Sequence, residues 1–380
     1  MQIVIVGGGP AGLYFSVLMK RRDPSHQITV LERDGPNDTF GWGIVFSDQT
    51  FDYLRDNDRE SFDSITASCE RWDNVDVVHG GQTISVRGNR FSGIARLAFL
   101  QILHRRCQDV GVDLRFNQPV ADLSALPKAD LLVGADGANS LVRRAHGDLF
   151  RPEIAQGRNK YIWLGTSKLF HGLTLTFVPH PLGLFTAHSY KFNRRTSTFI
   201  VECSEATWRD AGLEAMSGAD TCRFLERVFA DHLDGQSLLT NNFVRWLNFP
   251  LVRNAQWHGD RLVLLGDALH TAHFSIGSGT KLALEDAIAL ADAFSSHADP
   301  ADALPAFEQA RRPKVEQLQA AALESQIWFE EAARHLDLDP LRFALEVMTR
   351  SKKIDYDKLR RRDPEFVAAV EALERGGVER

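Results

Sequence analysis

Three stretches of this chain place glycines beside an acid at spacings suited to holding a phosphorylated nucleotide. The first runs Ile3-Val4-Ile5-Val6-Gly7-Gly8-Gly9-Pro10-Ala11-Gly12. Glu32 follows at about the 20-residue separation expected of an acid that meets a ribose hydroxyl. In such a turn Gly7 permits a tight bend, Gly9 lets backbone approach a pyrophosphate, and Gly12 lets a helix sit close on its strand. Pro10 and Ala11 open that helix, whose free N–H groups and positive dipole end face the phosphates. The competing reading of this motif alone is a glycine turn in an ordinary α/β domain. The second stretch is Asp136-Gly137 with Ser140 and Arg143, and the third is Gly266-Asp267 followed by Gly277-Ser278-Gly279-Thr280.

Each motif needs a strand to deliver it and a helix to receive the chain. Tyr14, Val17 and Leu18 continue an apolar helical face that Asp23-Pro24 ends, and Gln27-Ile28-Thr29-Val30-Leu31 reads as the second strand. Gly41 to Asp48 reads as a glycine-bracketed loop, too irregular for a strand; Trp42 there is placed either against a flat cofactor ring or as an aromatic plug between domains. Val75 to Val78 and Thr83 to Val86 flank Gly80-Gly81 as a hairpin. Leu97, Leu100, Leu103 and Cys107 mark an amphipathic helix opening at Arg96, and Val112 to Phe116 returns as a strand. Strands then run into Asp136 and into Asp267, so polar groups collect at the carboxyl ends of parallel strands, where such sheets bind ligands.

From Lys160 to Ser204 the pattern changes. Tyr161–Leu169, Leu173–Val178, Leu184–Phe192 and Ser197–Cys203 are successive strand-like runs with no useful helix between them, which predicts an antiparallel sheet and a second domain. Gly277 to Thr280 opens a long helix with Leu284, Ile288 and Ala291 on its apolar face; beyond Ala303 the chain reads as helical. The expected fold class is α/β: a Rossmann-like nucleotide-binding domain (1–71, 90–158 and 254–300), an inserted antiparallel-sheet substrate domain (72–89 and 159–253), and C-terminal helices (301–380).

With 380 residues, 25% charged residues and a net charge of −6, composition describes an ordinary soluble protein and argues against nucleic-acid or anionic-membrane partners. Residues 1–19 carry no charge, but glycines and a proline interrupt them and no positive segment precedes them, so the expectation is a cytoplasmic protein and not a membrane span. Cys69, Cys107, Cys203 and Cys222 form no C-x-x-C pair; they read as reduced structural thiols. His270-x-x-His273 lacks a nearby third ligand, so no metal is expected.

In their fixed order the three motifs resemble the single-component FAD-dependent aromatic hydroxylases, the 4-hydroxybenzoate hydroxylase class, over nearly the whole chain. Asp38–Asp48, Lys160–Thr166 and His273–Lys281 are similar to segments of the salicylyl-CoA 5-hydroxylases and of the hydroxylase half of 2-aminobenzoyl-CoA monooxygenase/reductase. The tryptophan-derived hydroxylases of violacein biosynthesis share several of them.

The resemblance implies FAD as cofactor, NADH or NADPH as cosubstrate, O2, and an aromatic substrate, carried as a CoA thioester in the nearer group. It implies a cofactor-binding set of Gly7, Gly9, Pro10, Ala11, Gly12, Glu32, Arg33, Trp42, Arg96, Asp136, Arg143, Gly266, Asp267, Gly277, Gly279 and Thr280. The broader class has proline after Gly-Asp and then Gly-x-Gly-x-Asn, whereas this chain has His273-Phe274-Ser275 and Thr280-Lys281, so contacts beside the flavin ring do not carry over.

His188 and Tyr190 lie on one face of a strand and are placed either against the substrate ring or as a satisfied pair inside the sheet. Arg158, Lys191, Arg194 and Arg195 are candidate partners for CoA phosphates, or else a solvated charged hairpin. A flavoprotein dehydrogenase or oxidase, or a FAD-binding protein without turnover, is the alternative of another class. The cofactor motifs report binding more directly than chemistry. The absence of a second G-x-G-x-x-G indicates a nicotinamide donor that binds transiently.

Overall fold

The computed structural model describes residues 1–241 and 244–378. Five parallel strands form the first sheet, in the order Leu262–Leu264, Leu131–Gly134, Gln2–Val6, Gln27–Leu31 and Asp113–Arg115. Ile3, Ile5, Val133, Val263 and Leu264 have no exposed surface, which is why these strands read as unbroken aliphatic runs and not as alternating ones. The helix Pro10–Arg22 packs against the helices Gly279–Ser296 and Arg96–Asp109, so the Gly12 and Gly279 helix starts share one side of the sheet core.

The second sheet has the order Leu238–Leu239, Pro152–Thr166, Ser197–Ser204, Gly183–Lys191, Leu173–His180, Val75–His79 and Gln82–Val86, with Leu247–Asn254 paired to Pro152–Thr166. Two expectations are corrected here. The first strand begins at Pro152, well before Tyr161, because Leu247–Asn254 pairs with its early residues. The sheet is also not wholly antiparallel: Leu173–Thr176 runs parallel to Val75–Val78, which draws the predicted Gly80-Gly81 hairpin into the sheet.

One face of this sheet, with Ile162, Leu164, Phe185, Phe199 and Val201, packs on Leu213, Leu225 and Phe229. The face toward Val75, Leu175 and Phe177 is covered by Trp328, Phe329, Phe343, Val347 and Val367 of the C-terminal helices. Residues 300–330 form one helix despite internal Pro305 and Pro313, and the helices Pro340–Thr349, Tyr356–Arg362 and Pro364–Val378 follow.

A third, small antiparallel sheet joins Gly43–Ser47, Phe91–Ala95 and Glu70–Trp72. The predicted loop at Gly41–Asp48 is therefore mostly a strand. Ile44 and Phe46 are buried, and their partner strand lies too far along the chain for local pattern to reveal it. Among the described residues no helix is long and apolar enough to cross a membrane.

Candidate active site

The phosphate turn is built by steric exclusion. Gly7 holds φ at +108°, and a Cβ there would stand 2.3 Å from the Ala135 carbonyl oxygen. A Cβ on Gly12 would meet Gly7 O at 2.5 Å and Ile5 Cγ2 at 3.0 Å, so both glycines are demanded by the protein itself. Gly9 differs: Ala135 O, at 4.0 Å, is the nearest contact of its would-be Cβ, so the space beside Gly9 lies open to a ligand. Gly9 caps the Pro10–Arg22 helix without a side-chain hydrogen bond, leaving first-turn N–H groups for an anion.

Glu32 stands at the end of its strand and accepts from Gly8 N at 2.6 Å and from Asp34 N at 2.9 Å. With Gly7, Gly9, Arg33, Arg96 and Asp136 it lines a cleft of about 350 Å³, within the range of small-molecule sites. Arg33 is exposed at its rim.

Arg96 opens its helix, its backbone N–H donating to Trp42 O at 2.8 Å. Its Nε is buried without a hydrogen-bond partner, and burial pulls the guanidinium below its ordinary range against the opposing charge of Asp267. Asp267 keeps exposed surface, yet protein crowds its carboxyl. That desolvation raises its carboxyl, while Arg96 and His270 lower it. A guanidinium lacking an acceptor and an acid lacking donors, set near each other, fit the phosphate and hydroxyl groups of a flavin nucleotide.

Asp136 lines the same cleft, but its carboxylate also caps a short helix, accepting from Ser140 Oγ at 2.5 Å and Leu141 N at 2.6 Å. Arg143 is 1% exposed and donates to Ala268 O at 2.8 Å and to Ala138 O. Arg143 thus ties the Asp136 and Asp267 turns together through the Ala138 and Ala268 carbonyls.

The Gly266–Ala268 turn needs a positive φ of +59° at Gly266, whose N–H donates to Asp286 at 3.2 Å. Asp286 also meets His270 Nε2 and Arg311 Nε, both at 2.8 Å. His273 instead bonds Ser275 Oγ at 2.8 Å, so the two histidines serve different partners, and no metal-binding cluster occurs among the described residues. Gly277 turns the chain at φ +62°, and the Gly279–Ser296 helix starts without a side-chain cap because Ser278 Oγ donates back to Ile276 O. Gly279 has nothing within 4 Å of a would-be Cβ and Thr280 is half-buried, so this helix start presents free N–H groups beside open space.

Trp42 lies on the large sheet: a Cβ on Gly165 would be 2.7 Å from its ring, and one on Gly41 would be 2.8 Å from the ring of Trp163. This interlocking packs Trp42 onto the inserted sheet, the contact the plug reading asks for. His188 and Tyr190 share the face opposite the Phe199 core. His188 Nε2 sits 2.6 Å from Glu202 Oε1 with both residues buried. Tyr190 donates its hydroxyl to Gly43 O at 2.8 Å and stacks on Trp72. Tyr190 is thus satisfied inside the protein, while His188 packs against Phe274 of the loop before Gly277.

Sequence reasoning missed Glu202 and Arg350. Glu202 is two residues along the neighbouring strand from Ile200, the partner of His188, so hairpin register carried the signal. Arg350 reaches from the C-terminal region to Ser275 O at 2.7 Å and Ser325 Oγ at 2.9 Å, a contact with no local signature. Of the cations considered for phosphates, Arg158 is paired with Glu330 at 2.7 Å and Lys191 with Glu70 at 3.1 Å; Arg194 and Arg195 sit on an exposed turn.

Residues 111–322 match the FAD binding domain family. The chain is 40% identical to salicyloyl-CoA 5-hydroxylase of a Streptomyces species, over 98% of this chain and 73% of that one. This chain belongs to the FAD-dependent aromatic monooxygenases. It is also 36% identical to the 3-hydroxy-4-methyl-anthranilyl-[aryl-carrier protein] 5-monooxygenase of Streptosporangium sibiricum, over 94% of this chain and 97% of that one. The solved structure of 2-methyl-3-hydroxypyridine-5-carboxylic acid oxygenase superposes with a TM-score of 0.71 at 19% identity, covering 95% of this chain and 97% of the other, and shares the fold. The chain is thus a flavoprotein monooxygenase, and the cleft lined by Gly9, Glu32 and Arg96 is its candidate cofactor site.

Proposed function

We propose that this enzyme hydroxylates an ortho-hydroxy or ortho-amino benzoyl-CoA thioester at ring carbon 5. The overall reaction consumes the thioester, O2, NAD(P)H and a proton, and yields the hydroxylated thioester, NAD(P)+ and water. Bound FAD supplies oxygen activation; the chain supplies binding, orientation and exclusion of water. Gly9, the first-turn N–H groups and Glu32 would hold the diphosphate and ribose, and Arg96 and Asp267 would hold the stretch leading to the ring. The uncapped helix start at Gly279 would lie by the ring, its dipole favouring negative charge there.

The observation that carries the substrate class is the similarity, over 98% of this chain and 73% of the relative, to a hydroxylase named for a CoA-linked ortho-hydroxybenzoyl substrate, supported by a second relative named for an anthranilyl group on a carrier and for the same position. Chemistry supports carbon 5: oxygen is delivered as an electrophile, and a ring donor at carbon 2 enriches the carbon para to itself.

The test is anaerobic reduction of the FAD-loaded enzyme by NADH and by NADPH, with and without salicylyl-CoA or 2-aminobenzoyl-CoA, followed by admission of O2. The proposal expects the thioester to accelerate flavin reduction and to leave as oxygenated product. Hydrogen peroxide as the sole oxygen product with both thioesters overturns it in favour of an oxidase.

A further inference from the structure

Between Arg350 and Arg362 seven cations stand against two aspartates, in a chain whose net charge is −6. The fold brings this segment to the helix start that would face the flavin ring. Arg350 bonds Ser275 O at 2.7 Å, which anchors the end of the Pro340–Thr349 helix on the loop before Gly277.

From there a ring of contacts closes around one patch of surface. Lys281, in the first turn of the Gly279 helix, has its ammonium 5.9 Å from the ring centre of Tyr53. Tyr53 is 38% exposed and sits on the helix Asp48–Asn57, whose first residue lies 3.9 Å from Arg90. The neighbouring Asn89 accepts from Arg362 Nη1 at 3.1 Å, and the chain before it packs on Arg362 at Gly88. Arg362 and Lys358 then lie within electrostatic reach of Lys353, as does Lys281, which completes the circuit.

Arg90, Lys353, Lys358 and Arg362 are exposed. Glu285, the acid that offsets Lys353, is already shared by Lys281 and Arg311, and Asp355 is held by Lys358 at 3.2 Å. Desolvation by the surrounding protein, and after it the charges of Lys281, Arg362 and Lys358 against that of Glu285, hold the Lys353 ammonium below its ordinary range. Such crowding costs free energy in the free protein and is relieved when a polyanion arrives. The exposed Tyr53 ring, with Lys281 beside it, also offers a stacking surface for a nucleobase.

We propose that this basin, framed by Tyr53, Lys281, Lys353, Lys358, Arg362 and Arg90, receives the 3′-phospho-ADP end of the CoA thioester. The ring-bearing acyl group then reaches the flavin past the Gly277–Gly279 turn. The proposal rests on the thioester reading above and adds where the tail is recognised; Arg158 and Lys191, which lie outside this circuit of contacts and pair with Glu330 and Glu70, are not part of it.

The test titrates the FAD-loaded full chain with free CoA, 3′-dephospho-CoA, pantetheine and NADPH by calorimetry, at low and at high salt. Wild type should bind CoA more tightly than dephospho-CoA, and salt should weaken both. The double reversal Lys353→Glu with Arg90→Glu should weaken CoA binding about tenfold or more and abolish the advantage over dephospho-CoA, with pantetheine unaffected. The milder Lys353→Gln, checked for FAD content, serves if the double variant misfolds, and should show a smaller loss of the same kind. CoA affinity unmoved by these changes overturns the basin, as does a loss confined to NADPH or a wild type that does not bind CoA. Turnover of a thioester by a variant that keeps full CoA affinity would sink the basin alone and leave the proposed reaction standing.

Discussion

Glu32 and Gly8 face each other across the phosphate turn, with the Glu32 carboxylate accepting the Gly8 N–H at 2.6 Å. The acid at the strand end is thus held over the glycine turn by its backbone and is placed to meet a ribose. Glu32→Ala removes that acceptor. A hydrogen bond to a charged group contributes about 1.5 to 3 kcal/mol, so the FAD dissociation constant should rise roughly ten- to hundredfold. Equilibrium dialysis of the variant against FAD measures this, and wild-type affinity would show that Glu32 only braces the turn.

Gly9→Ala and Gly12→Ala should fail in different ways. Gly12→Ala drives a methyl group to 2.5 Å from Gly7 O and should lower the melting temperature of the FAD-free protein. Gly9→Ala meets no close protein atom, so the apoprotein should melt near wild type while FAD retention falls. Equal melting points for the two apoproteins would contradict this division.

Asp267 and Arg143 make a second such contrast. Asp267→Ala frees a crowded acid and should leave the fold intact while FAD affinity drops by on the order of 1.5 to 3 kcal/mol. Arg143→Ala orphans the Ala138 and Ala268 carbonyls and should destabilise the apoprotein by about 2 to 4 kcal/mol. Urea unfolding of both apoproteins separates the cases; an Asp267→Ala protein that purifies fully yellow would refute its cofactor role.

Stability should fall on mild acidification. Burial holds His104 and His273 down to about 4 from an ordinary 6.5, so the unfolded chain binds protons between those values that the folded chain does not. Stability is therefore full above about pH 6.5 and declines toward pH 4, by up to about 1.4 kcal/mol per pH unit for each histidine. Glu202 acts in a lower window: burial opposes its charge, but His188 and its other partners hold its carboxyl below the ordinary 4.5. Its contribution is present above that pH and is lost as pH falls further, through the folded value. Urea midpoints at pH 7.5, 6 and 5, at saturating FAD, test the histidine window; His104→Gln should flatten the slope, and an unchanged slope would contradict the assignment.

The legible parts of this molecule were those whose physics is local. The run Ile3–Val6, the glycines after it and the acids Asp136 and Asp267 each declare a buried strand and a turn within a few residues. What stayed hidden depended on partners far along the chain. Gly43–Ser47 becomes a strand only because Phe91–Ala95 lies beside it, and Val75–Val78 joins the larger sheet by parallel pairing with Leu173–Thr176. Trp42 packs over Gly165, and Arg350 reaches Ser275, across separations that no local pattern marks. Of the pair His188 and Tyr190, alternation along one strand does not reveal that Tyr190 bonds Gly43 O while His188 meets a buried acid on the neighbouring strand.

Hydroxylation of a CoA-borne aromatic ring is the central claim, and product analysis with matched substrates tests it most directly. Salicylyl-CoA, 2-aminobenzoyl-CoA, the corresponding free acids and tryptophan-derived indoles should each be incubated with the FAD-loaded enzyme, NAD(P)H and labelled O2. Ring hydroxylation at carbon 5 of at least one thioester, coupled to NAD(P)H consumption and carrying one oxygen atom from O2, is the result expected. Efficient coupled hydroxylation of a free acid or an indole, with neither thioester turned over, would contradict it.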